Sequence, residues 1–155
     1  MTSESREFFS TVVLPTVQGF LASQESPPFD EHSLRLGRLA AIVLNQMADY
    51  WHRDFVKDGS KVGALRDYLA SECPSFGVIW DLADATKHAK IDRGELISKH
   101  SQVKSPESVV VQANTPAAQL IESLQVYAIL NDGAKVNLVD AVRCVADMWS
   151  QKLMR

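Results

Sequence analysis

Apolar residues recur at helical spacing along the first part of the chain. Phe9, Val13 and Val17 are each four positions apart, a pattern that predicts a helix with one apolar face. Pro15 falls inside this segment and lacks the amide that would bond to Thr11, so a kink is expected there. The first helix is therefore predicted to be irregular, and to end before the Pro-rich segment at 26–28.

The longest amphipathic pattern runs from about Asp30 to Phe55 and predicts a central helix. Its apolar stripe is broad, which is typical of a helix that contacts neighbours on several sides. The predicted core face consists of Leu36, Leu39, Val43, Met47 and Tyr50, widened by Ala40, Ile42, Leu44 and Trp51.

Two shorter helices are predicted after a turn at 58–60. The third begins near Val62 and must end near Cys73, because a proline disfavours helical geometry in the residue before it. The fourth opens at Pro74, with Ser75 as its predicted cap, and ends near residue 90 or 91. Residues 1–91 are thus predicted to form a four-helix bundle-like unit.

The pattern changes after residue 91. Residues 92–107 are interpreted as a polar loop, and 108–139 as a β-hairpin unit that includes the short β-branched run 109–111. The β-prone segments 124–130 and 134–139 flank Asn131-Asp132-Gly133, a strong hairpin signal. A helix over 116–130 is the alternative, so 114–123 is left open between strand, loop and helix.

A final helix is predicted over 140–155, with Asp140 as its cap and Trp149 as the residue that anchors it to the core. The fold class that follows is mainly α with a minor α+β character. It comprises a four-helix bundle-like N-terminal part, a small antiparallel β-hairpin or meander, and a C-terminal helix in a single domain, 1–155. A chain of this length buries enough surface to fold without disulfide bonds or structural metal ions.

Composition narrows the classes of function. The formal net charge is −3, from 16 basic and 19 acidic residues, so no basic surplus indicates phosphate binding. RNA is kept as an alternative partner, although the net charge of the chain does not indicate it. Basic residues do recur around His88 and His100, but a solvated loop is the favoured interpretation; they are Lys87, Lys90, Arg93, Lys99 and Lys104.

The cellular location is predicted from two sequence features that the chain does not contain. There is no apolar run of about 20 residues for a membrane span and no start of secretory type. Cys73 and Cys144 form no metal or redox motif, so both are expected to be buried, reduced thiols. The expectation is a cytoplasmic protein with no membrane association and no cofactor.

The polar cluster that most resembles a functional site lies on the predicted fourth helix. Asp81, Asp84 and His88 are spaced i, i+3, i+7 and share one face of a continuous helix. A carboxylate beside an imidazole suits a general base, and it is also a common way to satisfy a half-buried histidine. Two carboxylates and one imidazole make a metal site a further alternative. Arg53, at the end of the central helix, is the fourth candidate catalytic residue if it faces His88.

A family resemblance rests on three stretches. Residues 65–69 (LRDYL), Cys73-Pro74 and 84–88 (DATKH) resemble segments of uncharacterised bacterial and phage proteins and, more distantly, the HEPN superfamily of small helical bundles. The resemblance covers about residues 5–95. It implies four or five helices, a histidine on a late helix, frequent dimerisation, and either RNA-cleaving activity or a non-catalytic partner role.

The family's catalytic histidine follows an arginine after four to six residues. Upstream of His88 the matching positions hold Asp81, Leu82 and Ala83. The sequence therefore predicts a non-catalytic, partner-binding bacterial protein that binds another protein or a second copy of itself. The alternatives are a divergent HEPN-like ribonuclease or defence component, with His88 oriented by Asp84 and phosphate stabilised by Arg53 or Arg93, and a carboxylate–histidine metal site.

Overall fold

The computed structural model describes residues 3–25, 31–89, 91–92, 94–106, 114 and 116–155. The predicted strand at 109–111 lies outside these ranges. Within them the chain is mainly helical with a small antiparallel sheet, as predicted. The elements are α1 (Glu4–Phe8), a π-helical turn (Phe9–Val13), α2 (Leu14–Ser23), α3 (Glu31–Phe55), α4 (Val62–Glu72), α5 (Pro74–Lys87), a 3₁₀ turn (His100–Gln102), β1 (Val103–Lys104), α6 (Ala117–Leu124), β2 (Tyr127–Ile129), β3 (Lys135–Asn137) and α7 (Leu138–Met154).

The irregularity expected at Pro15 is a π-helical turn that directly precedes α2. The amide of Leu14 donates to the carbonyl of Phe9, five residues back, and Pro15 has no amide with which to continue regular bonding. Val13 and Phe20 are nevertheless fully buried. The wider turn thus keeps the apolar residues on both sides of the proline directed into the core.

The buried face of α3 matches the predicted one in part. Ala40, Leu44 and Met47 are fully buried as predicted, whereas Leu39, assigned to the core from the spacing, is 44% exposed. Small residues form this face because neighbouring elements approach closely. A Cβ atom on Gly37 would lie 2.8 Å from Cδ2 of Leu138, closer than van der Waals contact permits. Close packing of α3 against Leu138 therefore requires glycine at position 37.

The carboxylate of Asp54, near the end of α3, binds the first helix, α1, through a hydrogen bond. The amide of Ser5 donates to Oδ2 of Asp54 at 2.8 Å. Burial raises the pKa of Asp54, but the hydrogen bonds from Ser5 and the positive charges of Arg53 and Lys57 outweigh it, so the net pKa lies below its usual value. The ionised carboxylate is therefore the form that holds α1 in place.

Replacing Asp54 with alanine is expected to lower the free energy of unfolding at neutral pH, but not in strong acid. Because the pKa of Asp54 is lower in the folded chain, its contribution is present above the unfolded pKa, 3.8. It disappears as pH falls through the folded pKa. Urea unfolding of both proteins at pH 7 and below pH 3 measures this. A difference between them that is unchanged in acid would contradict the assignment.

The sheet has the order β1–β2–β3, with both pairings antiparallel. Its hairpin is the predicted one: β2 pairs with β3, and Gly133 adopts a φ of +89°, which glycine tolerates without strain. β1 was not predicted, since it falls in the segment interpreted as a polar loop. Most of α6 falls in the open segment 114–123, so the helical alternative is right up to Leu124 and the strand prediction is right from Tyr127.

The last helix begins two residues earlier than predicted. Asn137, not Asp140, is its cap, and the side chain of Asn137 accepts a hydrogen bond from the amide of Asp140 at 3.2 Å. The prediction for Trp149 is confirmed. Its side chain is fully buried, and its Nε1 donates to the carbonyl of Leu44 at 3.0 Å. None of the helices in the described ranges is long and apolar enough to cross a membrane.

Candidate functional site

The predicted polar face of the fourth helix does not extend to its last member. α5 ends at Lys87, and His88 has an extended backbone, with φ −121° and ψ 132°. The His88 side chain is exposed, Asp84 is half-buried and Asp81 is buried. The three residues therefore occupy three different environments, and the helical spacing argument fails at His88, where the helix has already ended.

Asp81 holds a loop against α5. Its side chain is 3% exposed, and its Oδ2 accepts from the amide of Leu96 at 2.7 Å and from the amide of Ile97 at 3.1 Å. These are charge-assisted hydrogen bonds, which are stronger than those between neutral groups. Asp81 thus satisfies two backbone donors that a segment fifteen residues away brings into the core.

The loop that Asp81 holds is also bonded to the hairpin. Gln102 accepts from the amides of Ser98 and Lys99 through Oε1 and donates through Nε2 to the carbonyl of Ile129. Asn131 donates through its backbone amide to the carbonyl of Leu96. In the segment interpreted from sequence as a polar loop, the described residues 96–102 are therefore bonded both to α5 and to the sheet. Its polar side chains satisfy backbone groups there.

Arg53 lies in a different neighbourhood from the α5 carboxylates. It forms an ion pair with Glu4 and lies over the Tyr50 ring at 5.4 Å. None of its described contacts joins it to Asp81 or His88. The contacts of the described residues therefore do not bring Arg53 and His88 together, as the ribonuclease hypothesis requires.

Polar side chains of α3 contact α4 and the turn before it. The carboxylate of Asp49 accepts from Arg66 of α4 at 2.7 Å. Arg66 also donates to Oδ1 of the buried Asn45 at 3.0 Å. His52 bonds the carbonyl of Ser60 at 2.6 Å. These side chains connect α3 to α4 and to the turn between them, which is a structural role.

The metal-site alternative is not supported. No group of three or more His, Cys, Asp or Glu side chains in the described part of the chain is placed to hold a metal ion. Asp81, Asp84 and His88 all belong to that part. The two oxygen ligands and one nitrogen ligand expected from the spacing are thus not assembled, because His88 lies beyond the end of α5.

A cleft of about 360 Å³ lies between α4, the start of α5 and the loop at 94–97. Asp67 and Glu95 stand at its exposed wall, and Asp81 lines it from the buried side. Trp80 and Leu96 supply apolar surface. None of the described residues lining the cleft is Lys, Arg or His, so it is an acidic cleft with an aromatic wall.

Gly77 sets how closely the loop approaches this cleft. A Cβ atom at position 77 would lie 3.2 Å from Cδ1 of Leu96 and 3.7 Å from Cβ of Ala70. The missing side chain therefore lets Leu96 pack directly against α5. The loop on one side and α4 on the other form walls of a concave surface, and concave surfaces are where ligands bind.

Sequence reasoning found one of the three carboxylates of this cleft. Asp81 was singled out for its spacing to Asp84 and His88, whereas Asp67 and Glu95 were not considered as site residues. They are 14 residues to either side of Asp81 in the chain, and no local pattern joins them.

No family model, curated protein or solved structure matches this chain.

Proposed function

We propose that the chain is a non-catalytic partner-binding module whose acidic cleft receives an arginine or lysine side chain of a protein partner. The observation that carries this proposal is the cleft itself. Three carboxylates, from Asp67, Asp81 and Glu95, line one concave surface to which no described basic side chain contributes. Its negative potential favours a positive group from another molecule.

The two exposed carboxylates are the groups that would contact the partner. Asp67 and Glu95 are exposed, so each keeps lone pairs available for a guanidinium or ammonium group. Asp81 contributes its charge from below, while its Oδ2 is engaged by backbone amides. A planar guanidinium that reaches both rim carboxylates would satisfy them without ordering any new segment of this chain.

The aromatic wall favours the same ligand. Trp80 lines the cleft and is half-buried, with its ring centroid 6.5 Å from that of Phe76. A cation over an indole face is attracted by the ring quadrupole, and Trp is the strongest partner for it. The methylene stem of the incoming side chain would lie on Leu96. Arginine, which both stacks and forms bidentate bonds, fits better than lysine.

An arginine-rich peptide tests the proposal. Titration calorimetry should show binding by the wild type that weakens as salt is raised, because exposed charge pairs are screened. The double variant Asp67→Asn, Glu95→Gln should weaken binding about tenfold, from the loss of two charge-assisted hydrogen bonds. The control Glu25→Gln, Glu31→Gln also removes two exposed acidic side chains, neither of which lines the cleft, and its affinity should be unchanged.

Two outcomes would contradict the proposal. One is an affinity that falls equally in the control and in the double variant, which would mean that only net charge matters. The other is no measurable binding of the peptide at low salt. Circular dichroism of each variant shows whether the fold is intact, since Asp67 and Glu95 are exposed and their neutral replacements should fold normally.

The ribonuclease alternative is supported less well by the geometry. It requires His88 to be oriented by Asp84 on one helix face, but His88 is exposed and follows the end of α5. Of the two arginines proposed to assist it, Arg53 pairs with Glu4 and Arg93 lies outside the described residues. Incubation with RNA decides between the two proposals. Cleavage by the wild type that is lost in His88→Ala would favour the ribonuclease, and intact RNA would favour the binding module.

A further inference from the structure

The two cysteines of the chain meet in the folded structure. Cys73 and Cys144 are 71 positions apart in sequence, yet their Sγ atoms are 3.5 Å apart. Cys73 occupies the junction between α4 and α5, and Cys144 lies on α7. The sequence prediction of two buried thiols is wrong for Cys144, which is exposed, whereas Cys73 is buried.

We propose that Cys73 and Cys144 form a peroxide-sensitive thiol pair that oxidises reversibly to an intramolecular disulfide. The sulfur atoms are already near van der Waals contact, so a bond of about 2 Å requires only a small approach. Cys73 has extended backbone angles, φ −131° and ψ 93°, and lies between two helices rather than within one. Its backbone amide donates to the carbonyl of Leu69 and its carbonyl accepts from the amide of Phe76, and rotation of the Cys73 side chain leaves both bonds intact.

Exposure assigns the roles of the two thiols. Both sulfur-bearing residues line a surface pocket of about 420 Å³, but only Cys144 is exposed, and an oxidant reaches it first. Burial, together with the hydrogen bond to Cys144, raises the pKa of Cys73. A thiol that is buried and harder to ionise is a poor first nucleophile. Cys73 is therefore the resolving thiol.

The reaction balances with hydrogen peroxide as the oxidant. The Cys144 thiolate attacks one peroxide oxygen, the O–O bond breaks, and Cys144 becomes a sulfenic acid while the leaving oxygen departs as water after protonation. The Cys73 thiol then loses its proton and attacks the Cys144 sulfur. The S–S bond forms and the S–O bond breaks, releasing a second water. Two thiols lose two electrons in total, and hydrogen peroxide gains them.

Mass spectrometry of the full chain tests the proposal. The reduced protein is treated with hydrogen peroxide, alkylated with N-ethylmaleimide and run on a non-reducing gel. Because the chain has only two cysteines, a monomer that takes up no maleimide and has lost two hydrogens contains the intramolecular disulfide. Dithiothreitol should restore both thiols. A doubly alkylated product, an intermolecular dimer, or a sulfinic Cys144 beside a free Cys73 would each overturn the proposal.

Single serine variants test the assigned roles. In Cys73→Ser, Cys144 should stop at the sulfenic acid, which dimedone traps. In Cys144→Ser, the buried Cys73 should react with peroxide at least about tenfold more slowly than Cys144 does. Equal rates in the two variants would overturn the assignment. Serine is close in size to cysteine, and circular dichroism confirms that both variants are folded before rates are compared.

Discussion

Replacing Asp81 with alanine should lower the free energy of unfolding by about 3–5 kcal/mol. The carboxylate accepts from the amides of Leu96 and Ile97, and alanine leaves both donors without this acceptor. Each unsatisfied donor costs about 1–3 kcal/mol. Urea unfolding followed by circular dichroism measures the loss. Amide exchange at Leu96 and Ile97 should accelerate in conditions where the variant is still folded.

Two further variants define the cause of this loss. Asp81→Asn keeps one acceptor oxygen, so its cost should be smaller than that of alanine, about 1–2 kcal/mol. Asp84→Ala removes a half-buried carboxylate from the same helix and should cost about 1 kcal/mol or less. If Asp81→Ala cost no more than Asp84→Ala, the anchoring role of Asp81 would be refuted.

The second large effect is expected at Trp149. Its side chain is fully buried, with ring centroids 6.1 Å from Trp51 and 6.2 Å from Phe76, and so it joins α3, α5 and α7. Replacing Trp149 with alanine removes this aromatic contact and opens a cavity, which should lower the free energy of unfolding by about 3–5 kcal/mol. Urea unfolding again provides the measurement, with the variant studied at low temperature.

A conservative variant separates packing from hydrogen bonding at this position. Trp149→Phe keeps an aromatic ring but removes the donor to the Leu44 carbonyl, which should cost about 1–3 kcal/mol. Met154→Ala, on the same helix but 78% exposed, should change stability by less than about 0.5 kcal/mol. Equal losses in Trp149→Ala and Met154→Ala would contradict the central position of Trp149.

Features that depend on neighbouring residues were predictable. The extent of α3 followed from a long amphipathic pattern, and the break between α4 and α5 from the restriction that Pro74 places on Cys73. The β2–β3 hairpin followed from Gly133, which can adopt the positive φ that the turn needs. In each case the deciding interaction lies within a few residues of the chain.

The candidate site was predictable only in part. The face shared by Asp81, Asp84 and His88 assumed that the helix continued to residue 90, but it ends at Lys87. A helix end depends on which carbonyl groups the surrounding structure satisfies, and spacing alone does not report it. The acidic cleft was missed because Asp67, Asp81 and Glu95 come from three separate segments.

The sequence by itself determined the helical class, the order of the main elements and the hairpin turn, because dihedral preferences and apolar periodicity act over short distances along the chain. Only the tertiary structure decided which polar groups meet. Asp81 with the amides of residues 96 and 97, Asp49 with Arg66 and Cys73 with Cys144 are pairs of remote residues. Their partners depend on how the packed helices cross, and that arrangement is a property of the whole core.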